Sequence, residues 1–120
     1  MVKDETNKIY TELMEYMKSI YPNIKGGQKY NENNVKLPYV YFFMLDMPTR
    51  LSDLSNNEVG VNQTYQIEVY TTEEMNQAKK MATDIRNYMI SLGFRCQNFM
   101  PIQTPSNVSR FVGRYERLNV

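Results

Sequence analysis

The sequence predicts an α+β domain, a four-stranded, mostly antiparallel sheet with two helices in the order α-β-β-α-β-β. Two observations carry this reading. Two stretches, about residues 4–20 and 72–92, repeat apolar residues at spacings of three and four, the signature of helices with one buried face. Around the second lie two hairpin-like pairs of β-type segments, which read as strands on either side of a helix. A length of 120 residues suits a single domain spanning 1–120.

In the first helix Ile9, Leu13, Tyr16, Met17 and Ile20 form the stripe, Asp4 can cap it with Glu5 in its first turn, and Tyr21-Pro22 ends it. Residues 22–37 read as a connector. Pro22, Gly26-Gly27 and the Asn31–Asn34 cluster are breakers, and the Gly-Gly pair reads as a turn because it lacks the downstream Gly-Lys-Ser/Thr of a phosphate loop. Tyr39–Leu45 is apolar on both alternating faces, which predicts the most buried strand of a sheet covered on both sides. Residues 48–60 form a second long polar connector. From Asn62 to Tyr70, Tyr65, Ile67 and Val69 alternate with Thr64, Gln66 and Glu68, as in a half-buried strand.

The second helix follows, with Thr71-x-x-Glu74 matching a capping box. Its stripe is Met75, Ala78, Ala82, Ile85, Met89 and Leu92, and Gly93 serves as its left-handed stop. The last two strands run from Phe94 to Ile102 and from Val108 to Leu118 around the turn Thr104-Pro105-Ser106-Asn107. Phe94, Cys96, Met100 and Ile102 are expected on one face of the first. On the second, Phe111 and Tyr115 oppose Arg110, Val112, Arg114 and Glu116.

Composition narrows the function. Histidine is absent, so Ser-His-Asp triads, Cys-His dyads and imidazole-based zinc sites are excluded. The single cysteine, Cys96, cannot form an internal disulfide and reads as a small buried hydrophobe. The net charge of +1 is too small for nucleic-acid binding driven by bulk charge. The N-terminus lacks the apolar core of a signal peptide, and the longest apolar run, the seven residues Tyr39–Leu45, falls far short of the ~20 needed to span a membrane. Glu68, Glu73 and Glu74 are the nearest carboxylate cluster, but their positions read as a strand exterior and a helix first turn.

The charge is nevertheless polarised along the chain. Residues 46–74 carry six acids against Arg50, a net of −5, whereas residues 95–120 carry Arg95, Arg110, Arg114 and Arg117 against Glu116. Such a chain could pair these charges across its own strands, contact phosphate, or pack head-to-tail on copies of itself. The 48–60 connector is longer than a strand link requires, and Leu51, Leu54 and Val59 are spaced through its polar residues. They can anchor the loop to the domain or fold onto a neighbour. The candidate interface residues are therefore Arg50, Leu51, Asp53, Leu54, Glu58, Arg110 and Arg114.

Four segments together resemble a known family: Leu37-Pro38-Tyr39-Val40-Tyr41-Phe42, Thr64-Tyr65-Gln66-Ile67-Glu68-Val69-Tyr70-Thr71, Leu92-Gly93-Phe94-Arg95 and Val112-Gly113-Arg114-Tyr115-Glu116-Arg117. In order and spacing they are similar to the tail terminator proteins of tailed bacteriophages, also called tail completion or head–tail joining proteins. Neighbouring neck, head-completion and minor capsid families share the pattern. The resemblance implies a virion protein, assembled in the host bacterial cytoplasm, that forms a ring, commonly a hexamer, at the head-proximal end of the tail. Such a ring stops polymerisation of the major tail tube protein and docks to the head connector, with possible contact to phage DNA in its lumen. It implies no catalysis, cofactor, metal, membrane or small-molecule substrate. The competing expectations are a small carboxylate metal-dependent nuclease, with Asp46, Glu68 and Asp84 converging on one point, and a single-stranded nucleic-acid binder using the terminal arginines and tyrosines.

Overall fold

The structure, a computed structural model, describes residues 6–28, 37–45, 61–72, 74–104 and 108–119. The elements are α1 (Thr6–Ile20), β1 (Lys25–Gly27), β2 (Tyr39–Met44), β3 (Val61–Thr71), α2 (Met75–Ser91), β4 (Arg95–Ile102) and β5 (Ser109–Asn119). The class is α+β as expected, but the sheet has five strands in the order β1-β2-β3-β5-β4 and is mixed. The additional strand, β1, runs parallel to β2, with Gly26 beside Val40, while every other pairing is antiparallel. The Gly26-Gly27 pair is thus a sheet edge rather than a turn. Its glycine serves close approach: a Cβ on Gly26 would lie 2.6 Å from the Met14 methyl of α1.

Both helices cover the same face of the sheet. Ile9, Leu13, Met14 and Met17 of α1 and Ala78, Met81, Ala82, Ile85 and Met89 of α2 join one buried cluster. The strands contribute Val40 and Phe42, then Tyr65, Ile67 and Val69, then Phe111 and Tyr115. These strand residues alternate, and the register aligns them: Phe42 and Gly113 flank Ile67, and Tyr115 lies opposite Tyr65. Aromatic rings run through the layer, with Phe42 5.0 Å from Tyr65 and Tyr65 5.5 Å from Phe94.

Several expectations are corrected by this arrangement. The α1 stripe turns toward Met14, so Tyr16 and Ile20 are exposed at 36% and 41%. β2 is not the most buried strand. β3 and β5 hold the centre, and on the face away from the helices Tyr41 and Phe43 are only half-buried. The Thr71-Glu74 capping box does not form. Thr71 is a buried strand residue, α2 begins after Glu74, and the Glu74 side chain makes no cap hydrogen bond. Met100 and Ile102 do not share the Cys96 face, because a bulge between Cys96 and Asn98 shifts the pairing by one residue. Beyond it Phe99 turns to the helical side, 4.5 Å from Phe111, and Met100 turns away from it. Cys96 is half-buried, packed at the edge of the core. Asp4 and Glu5 lie outside the described residues.

The helix stop is as the sequence predicts. Gly93 has φ of 96°, its N–H donates to the Ile90 carbonyl at 2.9 Å, and the Phe94 N–H donates to that of Met89 at 3.1 Å. This double closure drops Phe94 into the core, 2% exposed, and starts β4 in the right direction.

Two stability predictions follow from this packing. Ile85 is 1% exposed in mid-helix, so Ile85→Ala removes ~2–5 kcal/mol through lost burial and a residual cavity, read as a lower denaturant midpoint. Gly113→Ala is also destabilising, because a Cβ there would meet the buried Tyr115 ring at 2.8 Å from Cζ and 2.9 Å from Cε2; thermal unfolding of the variant checks this.

A third concerns pH. Burial holds the phenols of Tyr10, Tyr21 and Tyr115 above their usual pKa of 10.0, and the Asp84 carboxylate, 2.5 Å from the Tyr21 hydroxyl, adds to the rise there. Their stabilising effect is fully present below pH 10.0, where the unfolded phenols are still protonated, and is lost as pH climbs from there toward the raised folded values. Circular dichroism and phenolate absorbance should therefore change together above pH 10.0, with tyrosine ionisation following unfolding.

Candidate functional site

Among the described residues no helix packs on the second face of the sheet. Strand register lays its side chains out in rows. Tyr39, Tyr70, Arg110 and Ile102 form one row, Tyr41, Glu68, Val112 and Met100 the next, and Phe43, Gln66, Arg114 and Asn98 the third. Alternation puts these residues on the face opposite the core.

Glu68 organises the face. The sequence reading places it on a strand exterior, yet it is only 3% exposed. A buried carboxylate is unfavourable unless it is paired and hydrogen-bonded. Here four donors converge on it. Its Oε1 accepts from the Tyr70 hydroxyl at 2.5 Å and from Arg110 Nε and Nη2 at 2.8 and 2.7 Å. Its Oε2 accepts from Gln66 Nε2 at 2.6 Å. The Arg110 guanidinium also lies over the Tyr70 ring, 5.7 Å from its centroid. Burial alone lowers the Arg110 pKa, but the hydrogen bond and charge of Glu68, with a smaller contribution from the Tyr70 phenol, hold it above its usual value.

Arg114 differs in kind. Its Nη2 donates to Gln66 Oε1 at 3.1 Å, and its buried Nε has no hydrogen-bond partner. Among the described residues it has no carboxylate partner, so Gln66 relays between a satisfied carboxylate and an uncompensated cation. Beside this pair the rings of Tyr41 and Phe43 stack at 4.6 Å, and Met100 is 45% exposed.

The expected interface residues therefore separate. Arg110 and Arg114 share one face, but Arg110 is committed to Glu68 and is not the freely exposed charge expected of it. The cross-strand pairing that the sequence allowed is formed here, and again where Arg95 meets Glu116 at 3.4 Å. Arg117 is on the helical side, over the Phe94 ring at 4.5 Å. Arg50, Leu51, Asp53, Leu54 and Glu58 lie outside the described residues, as do Asp46 and Glu73. Glu68 and Asp84 do not converge: Asp84 is on α2, bound to Tyr21, on the other side of the sheet from Glu68. Among the described residues no three Asp, Glu, Cys or His side chains group closely enough to hold a metal ion, and no helix is long and apolar enough to cross a membrane.

No protein-family model matches this sequence, and no curated protein matches it significantly.

Removing Arg110 would leave the Glu68 charge buried and unpaired. Arg110→Ala should therefore lower stability by about 3 kcal/mol, the low end for breaking a buried pair because Arg110 is itself 30% exposed. Combining it with Glu68→Ala should restore part of the loss, giving a non-additive double-mutant cycle in urea.

Proposed function

We propose that this chain is a structural virion protein of the tail-terminator type, which forms a ring at the head-proximal end of a phage tail, caps the tail tube and joins it to the head connector. The observation that carries this reading is the one-sided layering of the domain. Both described helices cover one face of the sheet, and the other holds half-buried aromatic and charged side chains around a fixed Glu68–Arg110 pair. A domain built this way offers two chemically different sides, which is what a head-to-tail ring needs. The order of elements also runs parallel to the four sequence segments that carry the resemblance. In this reading the ring has six copies, its partners are the major tail tube protein and the neck proteins, and DNA passes through its lumen. The segment with Arg50, Leu51, Asp53, Leu54 and Glu58 makes the contact to tube or connector. The protein needs no cofactor and acts by binding alone.

The test uses tail tubes assembled from the tube protein encoded next to this gene. With the chain present, electron microscopy should show tubes ending in a ring and a tube length that no longer grows with time. Tubes that bind none of the chain and keep growing would overturn the reading.

A further inference from the structure

We infer that the sheet face around Arg114, on which no described helix packs, is a receptor for a second copy of this chain, which inserts Glu12 and Glu15 of its α1 beside Arg114. The inference deepens the ring reading above and rests on it for closure of the contact.

Three observations point to this occupant. The first is Arg114, a half-buried guanidinium whose one described hydrogen bond is to a neutral amide and whose buried Nε is orphaned. A cation held this way is only partly solvated, and an incoming carboxylate supplies the missing counter-charge. The second is its setting. Tyr41 and Phe43, stacked and half-buried, and the exposed Met100 are the side chains found in protein interfaces. Among the described residues the face has one uncompensated positive charge, because Glu68 neutralises Arg110, and that suits a carboxylate better than a run of phosphates.

The third is a complementary patch on the helical side of the same molecule. Tyr16 of α1, 36% exposed, stacks on Tyr88 of α2 at 5.0 Å. Glu12 and Glu15 are exposed beside this pair and form no ion pair among the described residues. Their field reaches Tyr88, where together with burial it raises the phenol's pKa. Thus one side carries an aromatic pair with an unpaired cation, and the other an aromatic pair with two anions, flanked on the same helix by the exposed Lys8 and Lys18. Because the two patches lie on opposite sides of the sheet, neither can satisfy the other within one copy. The contact is heterologous, and an open assembly keeps one unmatched patch of each kind until a ring closes.

The experiment compares the full chain with two variants by sedimentation velocity and native mass spectrometry over a concentration series. Arg114→Glu spoils the sheet-side patch alone. Glu12→Arg with Glu15→Arg spoils the helical patch alone, at exposed positions that do not bear on folding. The wild-type chain should associate, more weakly at high salt, and each variant should lose about tenfold or more in association constant. Mixed, the two variants should associate again in alternation, since both contacts between them then pair opposite charges. A chain carrying all three substitutions should regain self-association. If both variants associate as the wild type does, or their mixture does not associate, the inference is wrong while the ring reading stands. If the wild-type chain stays monomeric throughout, self-docking at this face is also wrong, and the ring reading is decided separately by the capping of tail tubes.

Discussion

Glu68 sets the geometry on which the sheet face opposite the two described helices depends. A carboxylate at the centre of a sheet and 3% exposed is tolerable only if its lone pairs are used, and all of its described donors come from β3 and β5. Gln66 and Tyr70 sit two residues to either side on the same strand, and Arg110 pairs with Tyr70 in the register. A slip of one residue between β3 and β5 would exchange the faces and carry the carboxylate into the apolar layer. The ion pair thus adds chemical specificity to a register that hydrophobic alternation already favours. The same register places Arg114 opposite Gln66, so the free cation has its position because the bound carboxylate has its own.

On the other side of the sheet the matching constraint is volume. Tyr65 and Tyr115 are opposite one another and almost fully buried, and the Tyr115 ring fills the space that a side chain on residue 113 would otherwise take. The glycine at 113 is therefore part of the tyrosine's packing. Around these rings the helices present mainly alanine and methionine: Ala78 and Ala82 allow α2 to lie close, and Met14, Met17, Met81 and Met89 conform to the irregular gaps between aromatic side chains.

Much of this was legible in the amino-acid order, and the failures have local causes. The second helix, the alternating β3 and the Gly93 stop were plain because each is written in contacts near in sequence: a 3.6-residue stripe, a two-residue alternation, a left-handed closure. β1 was not, since three residues cannot show a period and its glycines exist to admit Met14 from a separate helix. The bulge at Cys96 was equally hidden, because alternation read through it assigns Met100 and Ile102 to the wrong face. Thr71 and Glu74 matched a capping box in type and spacing, but β3 keeps Thr71 and buries it. Glu68 was misread for the most general reason. Its exposure depends on Arg110, forty-two residues away, and no local pattern reports that a partner will arrive.

The two arginines of β5 show how little residue type decides. Arg110 and Arg114 point the same way from one strand, and both looked like free charges. Register gives Arg110 a carboxylate and a tyrosine ring, so its charge is consumed in folding, while Arg114 meets only an amide. The polarisation seen along the chain is reduced in the same way, since Glu68 and Glu116 are drawn to Arg110 and Arg95. What the two patches offer for recognition is local: Arg114 on the sheet side, and Glu12 and Glu15 on the helical side, of a molecule with a net charge of +1. Long-range attraction between copies with so small a net charge is weak. Discrimination must then come from short-range fit, where a misplaced copy would leave the Arg114 charge desolvated without a counter-ion and the correct one would not.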